Sequence, residues 1–243
     1  MTWKLNVREL LHFFDEDPPD GTGHATALVS VMGEELGAAL LQDYFKEARE
    51  YAGTTILTQH GKPLTPTPGT QRGQRLDRWL CATTSAGGQD LYQVEIKNWS
   101  AHAIGGTRLL IDASESERQR IGDHYWSRVW VAETETFRER SVAKVLTRMQ
   151  LPPGYERHAG KVIPLVCFWW YITKPESRTT EPLFEYELRS NQNGFSKFKI
   201  FSVSNYLRSQ RSAKRDEIDV EMPQAAQRIA WMKRMFGSSI LAA

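Results

Sequence analysis

Residues 91–99 read LYQVEIKNW. Their β-branched and aromatic types predict a strand. Side chains alternate along a strand, so Val94 and Ile96 share one face while Gln93, Glu95 and Lys97 share the other. An acid and a base thus stand side by side on a strand otherwise composed for a core. A half-exposed strand accounts for that pair on its own; the flanking segments open a second reading.

Working backwards, RLDRWL (residues 75–80) is the start of another strand, and SAGGQ (residues 85–89) between the two is a hairpin signal. Pairing in a hairpin sets Asp77 across from Glu95. Two carboxylates opposed in a sheet repel, an arrangement that makes sense when a cation sits between them. Oxygen ligands of this kind suit a hard ion such as magnesium. Further back, residues 25–51 carry apolar side chains at helical spacing. With Leu41 as the centre of that apolar face, Glu34 lies only about 20° away and Glu35 about 120° away, towards solvent. An acid inside an apolar stripe is costly unless a partner compensates it. The alternative is that Glu34 lies just past the buried end of the helix, an early acid favoured by the helix dipole.

Working forwards, residues 113–149 are mostly helical, with Gly122 as a possible break. KVIPLVCFWWYI (residues 161–172) is a buried strand, and its Trp169, Trp170 and Tyr171 belong to the core rather than to a base-stacking surface. LFEYELRSNQNGFSKFKIFSV alternates on both sides of an Asn-Gly turn and reads as a second hairpin. A basic stretch, SNYLRSQRSAKR, and an amphipathic helix, MPQAAQRIAWMKRMF, close the chain. TTILTQ (residues 54–59) supplies one more short strand. The sum is an α/β layout around one mixed sheet. Three units are expected: an N-terminal extension over 1–24, a core over 25–205 and a basic helical segment over 206–243.

Composition narrows the class further. The chain has 243 residues, 40% of them hydrophobic and 25% charged, as in ordinary globular proteins. Its net charge of +2 is unevenly spread: residues 1–50 hold four Lys/Arg against ten Asp/Glu, and residues 196–243 hold nine against four. A basic C-terminal portion is compatible with a polyanionic partner. The acids of DEDPPDGTGH (residues 15–24) lack calcium-loop spacing and read as a solvated loop. Cys81 and Cys167 have neither metal-type nor disulfide-framework spacing. No secretory leader is read at the start. The most apolar run, residues 162–172, is about half the ~20 residues a bilayer span requires. A cytoplasmic protein with no membrane partner is expected, and no Walker-type loop or dinucleotide fingerprint occurs.

The order of helix with Glu34, strand, strand with Asp77, strand with Glu95-x-Lys97 and helix, over residues 33–149, resembles the PD-(D/E)XK nuclease superfamily of restriction-endonuclease-like fold. RLD stands where the eponymous Pro-Asp would be, a frequent departure. The resemblance implies a restriction-endonuclease-like mixed sheet flanked by helices, with an additional C-terminal hairpin and helix. It implies Asp77, Glu95, Lys97 and Glu34 (or, failing it, Glu35) as the catalytic set. Asp77, Glu95, the carbonyl of Ile96 and Glu34 would be ligands for Mg2+ or Mn2+. The implied activity is hydrolysis of phosphodiesters, of DNA before RNA, leaving 5′-phosphate and 3′-hydroxyl ends. Beside two carboxylates Lys97 stays protonated, which favours an electrostatic role over a general base.

Substrate contacts are read from position. Gln93 shares the face of Glu95; Arg72 and Arg75 precede Asp77; Asn98, Trp99, Ser100 and His102 follow the strand. Arg208, Arg211, Lys214 and Arg215 form a basic cluster that suits backbone phosphates or a solvated helix face equally. A homodimer would suit cutting of both strands, though no residue demands one. The competing function is a binding or assembly module that keeps the fold without catalysis.

Overall fold

The computed structural model describes residues 2–15, 22–57, 61–65, 75–97, 113–131, 136–137, 140–174 and 180–236. In chain order the elements are β1 (Thr2–Asn6), α1 (Val7–Asp15), α2 (Thr22–Glu47), β2 (Tyr51–Leu57), β3 (Arg78–Thr84), β4 (Gln89–Lys97), α3 (Glu115–Val129), β5 (Trp130–Val131), β6 (Thr136–Phe137), α4 (Arg140–Val145), β7 (Val162–Phe168), β8 (Leu183–Gln192), β9 (Phe195–Ser202), α5 (Val203–Ser212), β10 (Glu217–Glu221) and α6 (Pro223–Phe236).

Six strands form a mixed sheet in the order β2-β3-β4-β7-β9-β8. β2, β3 and β4 run antiparallel to one another; β7 then lies parallel to β4, and β9 parallel to β7. β8 and β9 are a hairpin whose Asn193 (φ 53°) and Gly194 (φ 92°) take the left-handed conformations that tight turn demands. Among the described residues no helix is long and apolar enough to cross a membrane.

Helices cover both faces. Tyr92, Val94 and Ile96 of β4 join Leu80, Ala82, Leu165 and Cys167 in one core with Leu36, Leu40, Leu41 and Phe45 of α2. Leu91, Trp79, Cys81, Val166 and Phe168 face the other way, against Trp126 and Val129 of α3 and Val142 and Val145 of α4. β4 is therefore covered on both sides, as parallel-sheet strands are. Trp169 and Tyr171 are buried, and Trp170 stacks on Phe168 at 4.4 Å between ring centroids, in keeping with their reading as core. Cys81 and Cys167 are buried free thiols.

Three local expectations change. The helical reading of 113–149 breaks at residue 130 rather than at Gly122, which lies inside α3. A Cβ at Gly122 would come within 2.4 Å of Thr173 Oγ1, so the glycine permits a close approach. The chain ends expected as an extension and a basic tail share the α2 core. β1 pairs antiparallel with β10, and Val7, Leu11, Ile218, Val220, Met222 and Ala225 are buried in it. Finally, Glu34 is exposed while Glu35 is only 8% exposed, the reverse of the helical-face arithmetic. Gly33, Glu35, Leu36, Gly37 and residues 38–41 are all buried, so this part of α2 presents no single apolar stripe from which to measure angles.

Candidate metal and phosphate site

The site is built where β3 begins and β4 ends. Arg78 pairs with Val94, the last pair of the ladder, and Asp77 follows as a bend just before β3, close enough to Glu95 for its charge to act on it. Asp77 is held from both sides. Leu76 exchanges backbone hydrogen bonds with Gly61, at 2.9 and 3.2 Å, and the Arg78 guanidinium donates to the Asp77 carbonyl at 2.6 Å. So fixed, the Asp77 carboxylate accepts the amide N–H of Ile96 at 2.8 Å. In an extended strand the N–H and C=O of one residue point towards the same neighbour. Lys97 offers its carbonyl to Trp169, on the β7 side. The Ile96 carbonyl therefore points the other way, to the β3 side.

Glu95 is only 7% exposed, which rules out the half-exposed strand. Its Oε1 accepts from the Lys144 ammonium of α4, a partner the sequence reading missed. Among the described residues its Oε2 is buried with no hydrogen-bond partner. Burial, then the negative charge of Asp77, push the Glu95 carboxyl up to about 7; Lys144 pulls it back, and Glu34 adds a smaller upward push. Glu34 thus stands near enough to act electrostatically, but from an exposed position on α2. Lys97 is half-buried and shares the Glu95 face by strand alternation.

Other expected contacts fall elsewhere. Gln93 is fully buried, and its amide donates to the carbonyls of Val145 and, at 3.0 Å, Thr147. It caps the C-terminus of α4 instead of facing substrate, because a buried amide takes the orphan carbonyls of a helix end. Glu35 accepts the amides of Gln224 at 2.7 Å and Ala225 at 2.6 Å, closing the first turn of α6 behind Pro223. It is a helix cap, which leaves Glu34 as the helix acid beside the site.

The basic cluster also separates. Lys97, Phe168 and Ser202 are register partners, so α5 starts at the edge of the sheet where β4 ends. It runs some 15 Å away from that edge. Just beyond it Arg215 binds Asp43 at 2.8 Å and also Glu47, close to where β2 begins at the opposite edge. Lys214 and Arg211 therefore lie towards the far end and do not reach Glu95. Arg208, nearer the start of α5, acts on the Tyr171 phenol through its charge. Arg75 is exposed beside Asp77. Asn98, like Arg72, Trp99, Ser100 and His102, lies outside the described residues.

The donors suit a hard divalent ion. They are two carboxylates and a carbonyl at one strand end, with one carboxylate oxygen buried and bare among the described residues. No group of three or more His, Cys, Asp or Glu side chains among the described residues is gathered tightly enough to enclose a metal. Magnesium does not require that: it keeps several waters and is commonly held by one or two carboxylates. Glu34 stands exposed near these donors rather than gathered with them. Comparison with family models, with curated proteins and with solved structures returns no match.

Proposed function

We propose that the chain is a metal-dependent nuclease of restriction-endonuclease-like fold, hydrolysing phosphodiesters of DNA to 5′-phosphate and 3′-hydroxyl ends. The observation that carries this reading is the meeting of Asp77, the Ile96 backbone and a buried, half-satisfied Glu95 at the end of the strand bearing Lys97. The topology supports it as well. An acid-bearing helix is followed by three antiparallel strands and then by helices leading to a strand parallel with the E-x-K strand, an order in line with the resemblance.

Asp77, Glu95 and the Ile96 carbonyl would hold Mg2+ or Mn2+, with Glu34 adding negative potential from α2. When bound, such an ion neutralises phosphate charge and makes its water a stronger nucleophile. The buried setting strengthens each of these interactions relative to water. Lys97, on the Glu95 face, orients the attacking water and stabilises the charge that grows on the phosphoryl oxygens. In this role it acts through its charge rather than as a base. Arg75, exposed two residues before Asp77, would contact a strand entering there. DNA rather than RNA rests on the resemblance alone.

The test is incubation of wild type and Lys97→Ala with plasmid, linear and single-stranded DNA, each with magnesium and with chelator. Metal-dependent cutting by the wild type alone is expected. Cutting that survives both the substitution and chelation would remove the mechanism.

One observation favours a second reading, a binding or assembly module without catalysis: Glu95 is already paired with Lys144. Under that reading calorimetry shows no magnesium or manganese binding.

A further inference from the structure

Glu95 is the group on which the metal reading turns, and its surroundings contain a lysine that reading does not use. Lys144 comes from α4, a short helix whose placement owes little to its own length. Its last carbonyls are taken from outside: Gln93 donates to Val145 and Thr147, and Asn193, from the β8–β9 turn, donates to Leu146 at 2.9 Å. Val142, Val145 and Leu146 are buried beneath it. The residue before Val145 is Lys144, and the residue two places after Gln93 on the same face of β4 is Glu95. One amide on β4 thus fixes the backbone from which the ammonium reaches the neighbouring carboxylate.

The contact is one-sided. Lys144 takes Oε1, while Oε2 is buried and bare among the described residues. A bridge built only to neutralise a buried acid would be expected to satisfy both oxygens. A carboxylate tethered by one oxygen, with the other left open, is how a ligand is held in its orientation by groups behind it.

We infer that Lys144 is a positioning residue: it fixes Glu95 through Oε1 so that Oε2 is presented to a divalent cation shared with Asp77. The inference rests on the metal-ion reading above. It sets the two lysines apart: Lys97 serves the phosphate and water, Lys144 serves the ligand. Gln93 serves Lys144 in turn.

The test is titration calorimetry of Mn2+ into metal-free wild type, Lys144→Met and Lys144→Arg, with thermal melts in chelator to check the fold. Loss of a group that orients a metal ligand typically weakens affinity by about 10–100-fold. Lys144→Met is expected to bind in that weaker range, and Lys144→Arg, which restores a donor and a charge, within a few-fold of wild type. Binding by a folded Lys144→Met within about threefold of wild type would overturn the inference while leaving the metal site standing. Absence of Mn2+ binding by wild type would overturn both. Should Lys144→Met not melt cooperatively, a crystal structure of wild type soaked in Mn2+ decides. Lys144 is expected still on Oε1 with the anomalous peak beside Oε2, and a lysine swung away from Glu95 would refute the role.

Discussion

Glu95→Gln in metal-free protein tests the electrostatics of the site without asking for catalysis. The Glu95 carboxyl sits at about 7 in the fold against an ordinary 4.5, chiefly through burial and secondly through Asp77. A carboxyl whose folded value lies above its unfolded one binds its proton more tightly when folded. Its contribution is therefore favourable below about 4.5 and is lost as pH rises towards 7. At 1.36 kcal/mol per unit, the wild type forfeits on the order of 3 kcal/mol between pH 4.5 and 8 through this one group. Glutamine does not titrate, so Glu95→Gln forfeits none of it. The pull of Lys144 is already contained in the folded value, so losing that bond moves the difference between the two proteins by a constant and leaves its pH dependence unchanged. The diagnostic is therefore the change of the stability difference with pH, not its value at any one pH. Urea unfolding in chelator at pH 4.5, 6, 7 and 8 is expected to show the variant gaining on wild type by on the order of 3 kcal/mol across the range. Curves that stay parallel within about 0.5 kcal/mol would refute the placement of Glu95 as a buried acid pressed by Asp77. The same displacement predicts that a bound divalent ion flattens the wild-type curve.

Two further substitutions test the frame around the site. Glu35→Ala removes the acceptor of two amides at the head of α6 and is expected to cost about 1–3 kcal/mol, read by denaturant unfolding, with faster hydrogen exchange at Gln224 and Ala225. A loss under about 0.5 kcal/mol would mean the cap is not formed. Arg215→Met leaves Asp43 and the Tyr206 hydroxyl, 2.5 Å apart, without their cation. Because Asp43 is buried and Arg215 only part-buried, about 3 kcal/mol of destabilisation is expected, at the low end for a broken buried pair; a change in midpoint worth less than 1 kcal/mol would show the network to be ornamental.

The strand pair at the centre was readable because its signals are local. A short polar turn joins two alternating segments, and counting outwards from it gives their register as far as Arg78 and Val94. The Asn193-Gly194 hairpin was readable for the same reason. Glu34 and Glu35 were not, because α2 is enclosed by the sheet on one side and by α5, α6 and β10 elsewhere, and periodicity reports burial only when one face is buried. Gln93 and Lys144 carry no local mark of their roles. One serves a helix 52 residues on, and the other crosses 49 residues to find its acid. The sole hint for Lys144 is a lysine lodged beside the apolar run Val142, Val145 and Leu146. β1 and β10 are short and pair across nearly the whole chain, where pattern alone does not tell a strand from a loop.

The first turn of α6 has a reach beyond its own cap. Through its backbone it grips Glu35, whose neighbour is Glu34; through the Gln224 side chain it touches Arg78 at 3.3 Å, whose neighbour is Asp77. Two acids that arrive from a helix and from a strand are thereby tied to one beam without either of them touching it. A displacement of that beam, whose far end carries Trp231 and Met235 in solvent, would bear on the neighbours of both acids at once, through Glu35 and through Arg78.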